Sequence, residues 1–115
     1  MFMKISNKDR RADQRIAIKL PVTVISLSEE NWSEETMTED VSSQGALCYL
    51  THGVTLGQRL RLEAKMHNGS AIELTGRVVH IVPVSSSKNR VGVEVVGDSK
   101  KWAQFFLSWA VDERD

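Results

Sequence analysis

Apolar residues recur at every second position through most of this chain, and that alternation excludes more folds than any other property of it. Ile16, Ile18, Leu20, Val22 and Val24 share one phase, with Ala17, Lys19, Pro21 and Thr23 in the other. Leu60, Leu62, Ala64 and Met66 repeat the pattern against Arg59, Arg61, Glu63 and Lys65. Ile72, Leu74, Gly76, Val78 and His80 form a third set, and Val91, Val93 and Val95 a fourth. Side chains that alternate with period two point to opposite faces of a strand, so each stretch buries one face and wets the other. Two further strands are expected from about Glu35 to Asp40 and from Ala46 to Leu50. No helical pattern separates these stretches, so sequential strands pair antiparallel. The expected fold is mainly β: a six-stranded antiparallel β-barrel, closed or nearly closed, since closure would remove the edges that could pair with another chain.

Turn chemistry falls between the strands. His67-Asn68-Gly69-Ser70 is a hairpin turn, because Asn-Gly supplies the positive φ that a tight connection needs. Gly53 and Gly57 punctuate the loop before Arg59, Ser85 to Asn89 is a polar turn, and Ser26 to Ser33 is an acidic connection with Trp32 folded back on the barrel. Pro21 cannot donate to a ladder and should face an edge or bulge. Only the tail is helical: Trp102, Phe105, Phe106 and Trp109 fall on one stripe, after Asp98 as an N-cap. That stripe should seal an end of the barrel or form a homodimer contact.

The chain has 115 residues, enough for one domain with a modest core. The domain is expected over residues 16–115, preceded by a flexible arm over 1–15. No apolar run approaches the roughly 18 residues of a membrane span, and Met1-Phe2-Met3-Lys4 lacks the apolar core of a signal peptide, so a cytoplasmic location is expected. Cys48, the single cysteine, reads as a buried strand residue between Leu47 and Tyr49. With three scattered histidines besides, no metal-ligand spacing exists. Net charge is zero but unevenly spread. Lys4, Lys8, Arg10, Arg11, Arg15 and Lys19 crowd the start, and Glu29, Glu30, Glu34, Glu35, Glu39 and Asp40 follow with no basic residue between Lys19 and Arg59. This argues for a local anionic ligand near the N-terminus and against duplex nucleic acid as a partner.

Within Lys8-Asp9-Arg10-Arg11-Ala12-Asp13-Gln14-Arg15 three guanidinium groups precede the first strand. Arginine holds phosphate bidentately, grips the O6/N7 edge of guanine, or stacks on a base. Most charge runs are simply solvated, and an isolated basic arm would be read that way. Downstream, Asp40-Val41-Ser42-Ser43-Gln44-Gly45 gathers an acceptor, a hydroxyl and a glycine in one expected turn. There Asp40 and Ser42 have a purely structural use, bonding their own backbone, and Gly45 a purely conformational one. His80 is either a core residue, by its phase, or a cleft residue that stacks or bonds.

Arg11-x-x-x-Arg15 followed by Asp40-x-Ser42-x-x-Gly45 resembles the signature of the PilZ domain family, six-stranded bacterial barrels that bind the second messenger cyclic di-GMP. The resemblance extends to Gly76-Arg77-Val78-Val79-His80, to Val91-Gly92-Val93-Glu94 and to the terminal helix. It implies that Arg11 and Arg15 clasp phosphate and guanine, that Asp40 and Ser42 bond a guanine edge, and that Gly45 allows the turn and keeps a side chain out of the pocket. It further implies that Arg10 favours an intercalated ligand pair and that His80 stands where relatives carry a base-contacting aromatic. The function implied is a receptor or adaptor that changes conformation on binding cyclic di-GMP and signals to a partner protein, with no cofactor.

The alternative is an interaction module of the same fold that binds no nucleotide. Single-stranded nucleic-acid binding wants exposed aromatics among basic residues, and here the aromatics gather in the tail. An enzyme is not expected, since neither a phosphate loop ending in Lys-Ser/Thr nor a nucleophile elbow is present.

Overall fold

A computed structural model of the chain describes residues 15–28, 31–65, 69, 71–97 and 100–114, without the side chains of 108–114. Each alternating stretch becomes a strand: β1 (Pro21–Ser26), β2 (Ser33–Ser42), β3 (Gly45–Leu50), β4 (Arg59–Lys65), β5 (Ala71–Ser85) and β6 (Lys88–Val95), followed by the helix α1 (Lys100–Arg114). They close into a barrel in the order β1-β2-β3-β6-β5-β4. Every neighbouring pair is antiparallel. The inward set, including Val24, Val41, Leu50, Leu60, Leu62, Leu74, Val78 and Val91, forms one buried cluster. Each such side chain stabilises the barrel by about 1.5–3 kcal/mol relative to exposure. Cys48 belongs to this core, and burial first, then the charge of Glu34, pushes its thiol up to about 12, which leaves it inert.

The first strand is shorter than the alternation implied. Ile16 makes only a single bridge to Val41, and regular pairing starts at Pro21. Ile18 and Leu20 are buried all the same. The backbone of this segment is held largely by Thr38 instead of a regular ladder: its hydroxyl donates to the Ile18 carbonyl at 2.6 Å and accepts from the Leu20 N–H at 2.9 Å, and its backbone N–H donates to the Leu20 carbonyl at 2.9 Å. Burial with period two therefore persists where strand hydrogen bonding does not. Residues 1–14, with Arg10 and Arg11, lie outside the described residues, as do Met66, Asp98 and most of the hairpin turn before β5. Gly69 in that turn has the expected positive φ, 87°.

The described part of the aromatic stripe of α1 packs into the barrel's own core, and the side chain of Trp109 lies outside the described part. Trp102, Phe105 and Phe106 are buried in the main cluster, and the Trp102 indole N–H donates to the Ser42 carbonyl at 2.8 Å. The helix is thereby tied to the β2–β3 turn.

At the other end of β2, Glu34 holds the loop that follows β3. Its carboxylate accepts from the backbone N–H groups of Thr51 and His52 and sits 2.7 Å from the His52 Nδ1, while Trp32 stacks on the imidazole at 4.3 Å. Burial alone would raise the Glu34 carboxyl, but the hydrogen bonds from His52 and Thr51 outweigh it and hold the group below its ordinary 4.5.

Two outcomes follow for stability. Trp102→Phe leaves the Ser42 carbonyl buried without its donor, so urea titration should read a loss of about 1–3 kcal/mol; an unchanged midpoint contradicts the tie. A carboxylate depressed in the fold contributes stability above pH 4.5, and that contribution is lost as pH falls through its lowered value. Glu34→Gln should therefore weaken the fall of melting temperature on acidification below about pH 4.5, and an identical acid limb contradicts it.

Candidate ligand-binding cleft

Two irregularities in the barrel place the candidate residues. Between Thr38 and Asp40 the β2–β3 register shifts, and between Val78 and His80 the β5–β6 register shifts. In an unbroken ladder Asp40 would share the inward phase of Thr38, and His80 that of Val78. Each bulge inserts one residue and turns the next side chain outward. Asp40 and His80 thus emerge on the same outer face, beside Glu39 and Val79. They lie on one rung that crosses four strands, Asp40 opposite Leu47, Leu47 opposite Gly92, and Gly92 opposite His80. The missing side chain at Gly92 makes the middle of the rung low: a Cβ there would stand 3.1 Å from the His80 Cβ.

The hollow is a cleft of about 470 Å³, whose lining includes Arg15, Asp40, Ser42, Gly45, His80 and Arg90. That size lies in the usual range for ligand pockets, about 300–1,000 Å³. Its charged groups are arranged in pairs. Arg15 Nη1 is 3.6 Å from Asp40 and Arg90 Nη1 is 3.7 Å from Glu39, while Glu94 is paired at 3.1 Å with Nη2 of Arg77, which stands outside the cleft lining. Glu39 also accepts the Tyr49 hydroxyl at 2.6 Å, a hydrogen bond that with desolvation raises the phenol above its ordinary value. The Nε of Arg90 is buried without an acceptor among the described residues.

Of the residues singled out from sequence, Arg15, Asp40, Ser42, Gly45 and His80 come together here, and Arg10 and Arg11 lie outside the described residues. Three expectations are revised in detail. Asp40 and Ser42 are strand residues, because Asp40, Val41 and Ser42 pair with Leu47, Ala46 and Gly45, and the turn shrinks to Ser43 and Gln44. The structural use of Ser42 is real, since its hydroxyl oxygen accepts the Gln44 N–H at 3.1 Å, while its own O–H hydrogen is a separate donor. Gly45 is needed for close approach rather than for φ. A Cβ at 45 would collide with the Val93 carbonyl oxygen of β6. His80 leaves the core phase through the bulge, which period-two reading cannot detect.

Glu39, Gln44, Val79, Arg90 and Glu94 also line the cleft and were not expected there. Arg90, Gly92 and Glu94 were legible in principle, as the outward phase opposite Val91 and Val93.

The model of the PilZ domain family matches residues 9–103. The chain belongs to the PilZ domain family. Solved structures agree on the fold. This PilZ chain superposes on Bacillus subtilis MotI/DgrA, an inhibitor of motility, with a TM-score of 0.70 at 22% identity, over 92% of this chain and 51% of that one. The PilZ domain of Escherichia coli YcgR, solved with c-di-GMP, gives 0.68 at 15% identity over 92% and 95%. The K. pneumonia MrkH–c-di-GMP complex gives 0.70 at 11% identity over 92% and 55%. The chain spans about half the length of MotI/DgrA and MrkH. A comparison with curated protein sequences gives no match.

Gly45→Ala should destabilise the fold, because the clash is with backbone and no rotamer relieves it. A loss of about 1–3 kcal/mol is expected for such overpacking, read by thermal or urea denaturation. An Ala variant as stable as the parent would contradict the close approach of β3 and β6.

Proposed function

We propose that this PilZ chain is a receptor for cyclic di-GMP that presents the bound state to a partner protein as a changed surface. The observation that carries the reading is the convergence of Arg15, Asp40, Ser42, Gly45 and His80 on one cleft, from the segment before β1 and from β2, β3 and β5. The chemistry of the ligand supports it. Two phosphodiester groups want cationic forks, and two guanines want a carboxylate that accepts from their N–H groups and flat groups on which to stack. Arg15 serves the first need and the purine face, Asp40 the guanine edge with the Ser42 hydroxyl beside it, and His80 offers an imidazole across the rung. The cognate complexes of YcgR and MrkH with c-di-GMP, both built on this fold, add support by likeness.

In this proposal Arg10 and Arg11 join the ligand from the segment before Arg15, and Arg10 stabilises an intercalated pair. Bringing that segment onto the ligand costs conformational entropy, so the arginine contacts must exceed it. The altered surface around the cleft is then what a partner reads, as a population shift set by differential affinity for the two states.

Calorimetric titration of the chain with cyclic di-GMP tests this. Arg15→Ala and Asp40→Ala should each lose about 1.5–3 kcal/mol, a tenfold to hundredfold weakening. Arg10→Leu should lower the stoichiometry from two ligands to one. Undiminished affinity in the first two variants contradicts the site, and an unchanged ratio in the third contradicts the pair. A parent chain with no binding heat and no thermal shift contradicts the receptor reading as a whole and favours a nucleotide-free interaction module.

A further inference from the structure

Arg90 lines the cleft, and among the described residues its charge is only weakly paired. It offers five N–H donors in a fixed fork. Its Nε is buried without an acceptor among the described residues, and the Glu39 carboxylate stands 3.7 Å from Nη1, beyond ordinary hydrogen-bond length. Glu39 is not free to close that gap. Its other oxygen is engaged at 2.6 Å by the Tyr49 hydroxyl, from a neighbouring position on β3, and Tyr49 itself lies beneath the Lys88 ammonium at 5.7 Å from the ring centroid. Both partners of the pair remain about one-third exposed, so incoming solute can reach them. The arrangement therefore keeps a cation in the cleft with a weak, tethered counter-anion and an unsatisfied donor.

We propose that Glu39 is an affinity-setting residue, a resident counter-anion that a phosphodiester oxygen of the ligand displaces from Arg90. This rests on the receptor reading above and extends it to how tightly the cleft binds. A phosphodiester oxygen entering the cleft gains the Arg90 donors but meets the Glu39 charge at short range. Glu39 opposes binding twice, by shielding Arg90 before the ligand arrives and by repelling the ligand afterwards. Removing its charge while keeping its shape should tighten binding, which is the opposite of what loss of a ligand-holding group does. Because the opposition acts mainly through Arg90, it should shrink when Arg90 is absent.

The test is a double-mutant cycle read by calorimetry with cyclic di-GMP, on the full chain at low ionic strength. Glu39→Gln should tighten binding about twofold to fivefold, as expected for one partly exposed charge pair. Arg90→Gln should weaken it, and Glu39→Gln in the Arg90→Gln background should tighten it by less than twofold on the same scale, within about 0.4 kcal/mol. Glu63→Gln, which removes the same charge from β4 outside the cleft, serves as the measure of a general charge effect and should leave affinity unchanged. A Glu39→Gln titration superimposable on that of the parent, or tightening equal to that of Glu63→Gln, overturns this proposal and leaves the receptor reading standing. A parent chain that binds no cyclic di-GMP overturns both.

Discussion

A six-stranded barrel packed with Leu and Val side chains has no interior to lend to a ligand, and that constraint governs the rest of the molecule. Whatever the chain binds must be held on the outside, where regular alternation delivers only every second residue. Two bulges relax this rule. By inserting a residue in β2 and another in β5 they turn Asp40 and His80 outward at the two ends of one rung, with Leu47 and Gly92 between them. The hollow is a direct product of the pairing register and of a glycine that leaves its centre empty.

Stability and site are consequently not separate accounts. Gly45 stands where β6 backbone leaves no space for a Cβ, so the same residue that lets β3 and β6 pair also sets the cleft wall. The Ser42 carbonyl takes the indole N–H of Trp102, so the helix that covers the core also steadies the strand end that carries Asp40 and Ser42. The cleft arginines Arg15 and Arg90 stand beside carboxylates, at 3.6 and 3.7 Å. On the proposed reading, binding an anion there is an exchange of partners rather than the filling of an empty positive pocket, and affinity is set by the difference between two sets of ion pairs.

How much of this was legible in the sequence depends on whether the information was periodic. The inward residues of β1, β4, β6 and the first half of β5 follow from alternation, and the aromatic face of α1 from its helical spacing. Arg15, Asp40, Ser42 and Gly45 were found because their order and spacing resemble a known motif, not because period two points to them. The bulges were illegible, since nothing in Thr38-Glu39-Asp40 or Val78-Val79-His80 announces an extra residue; only the register of the partner strands does. The start of β1 was placed too early for a related reason. Ile16, Ile18 and Leu20 alternate as a strand would, but Ile16 makes only an isolated bridge to Val41, and the Ile18 carbonyl and Leu20 N–H are taken by the Thr38 hydroxyl from another part of the chain. Arg90 carried a readable signal in the outward phase of β6, and its importance depends on the neighbours Glu39 and Tyr49, which sequence distance hides.

The central claim is that the outer rung across β2, β3, β6 and β5 is where the chain meets cyclic di-GMP. Amide chemical-shift mapping during titration with the nucleotide tests it most directly. The account requires the largest shifts at Asp40, Gly45, His80, Gly92 and Val93, with Thr23, Arg61 and Glu63 on β1 and β4 nearly still. Shifts concentrated on β1 and β4, or none in the rung at saturating ligand, would contradict it.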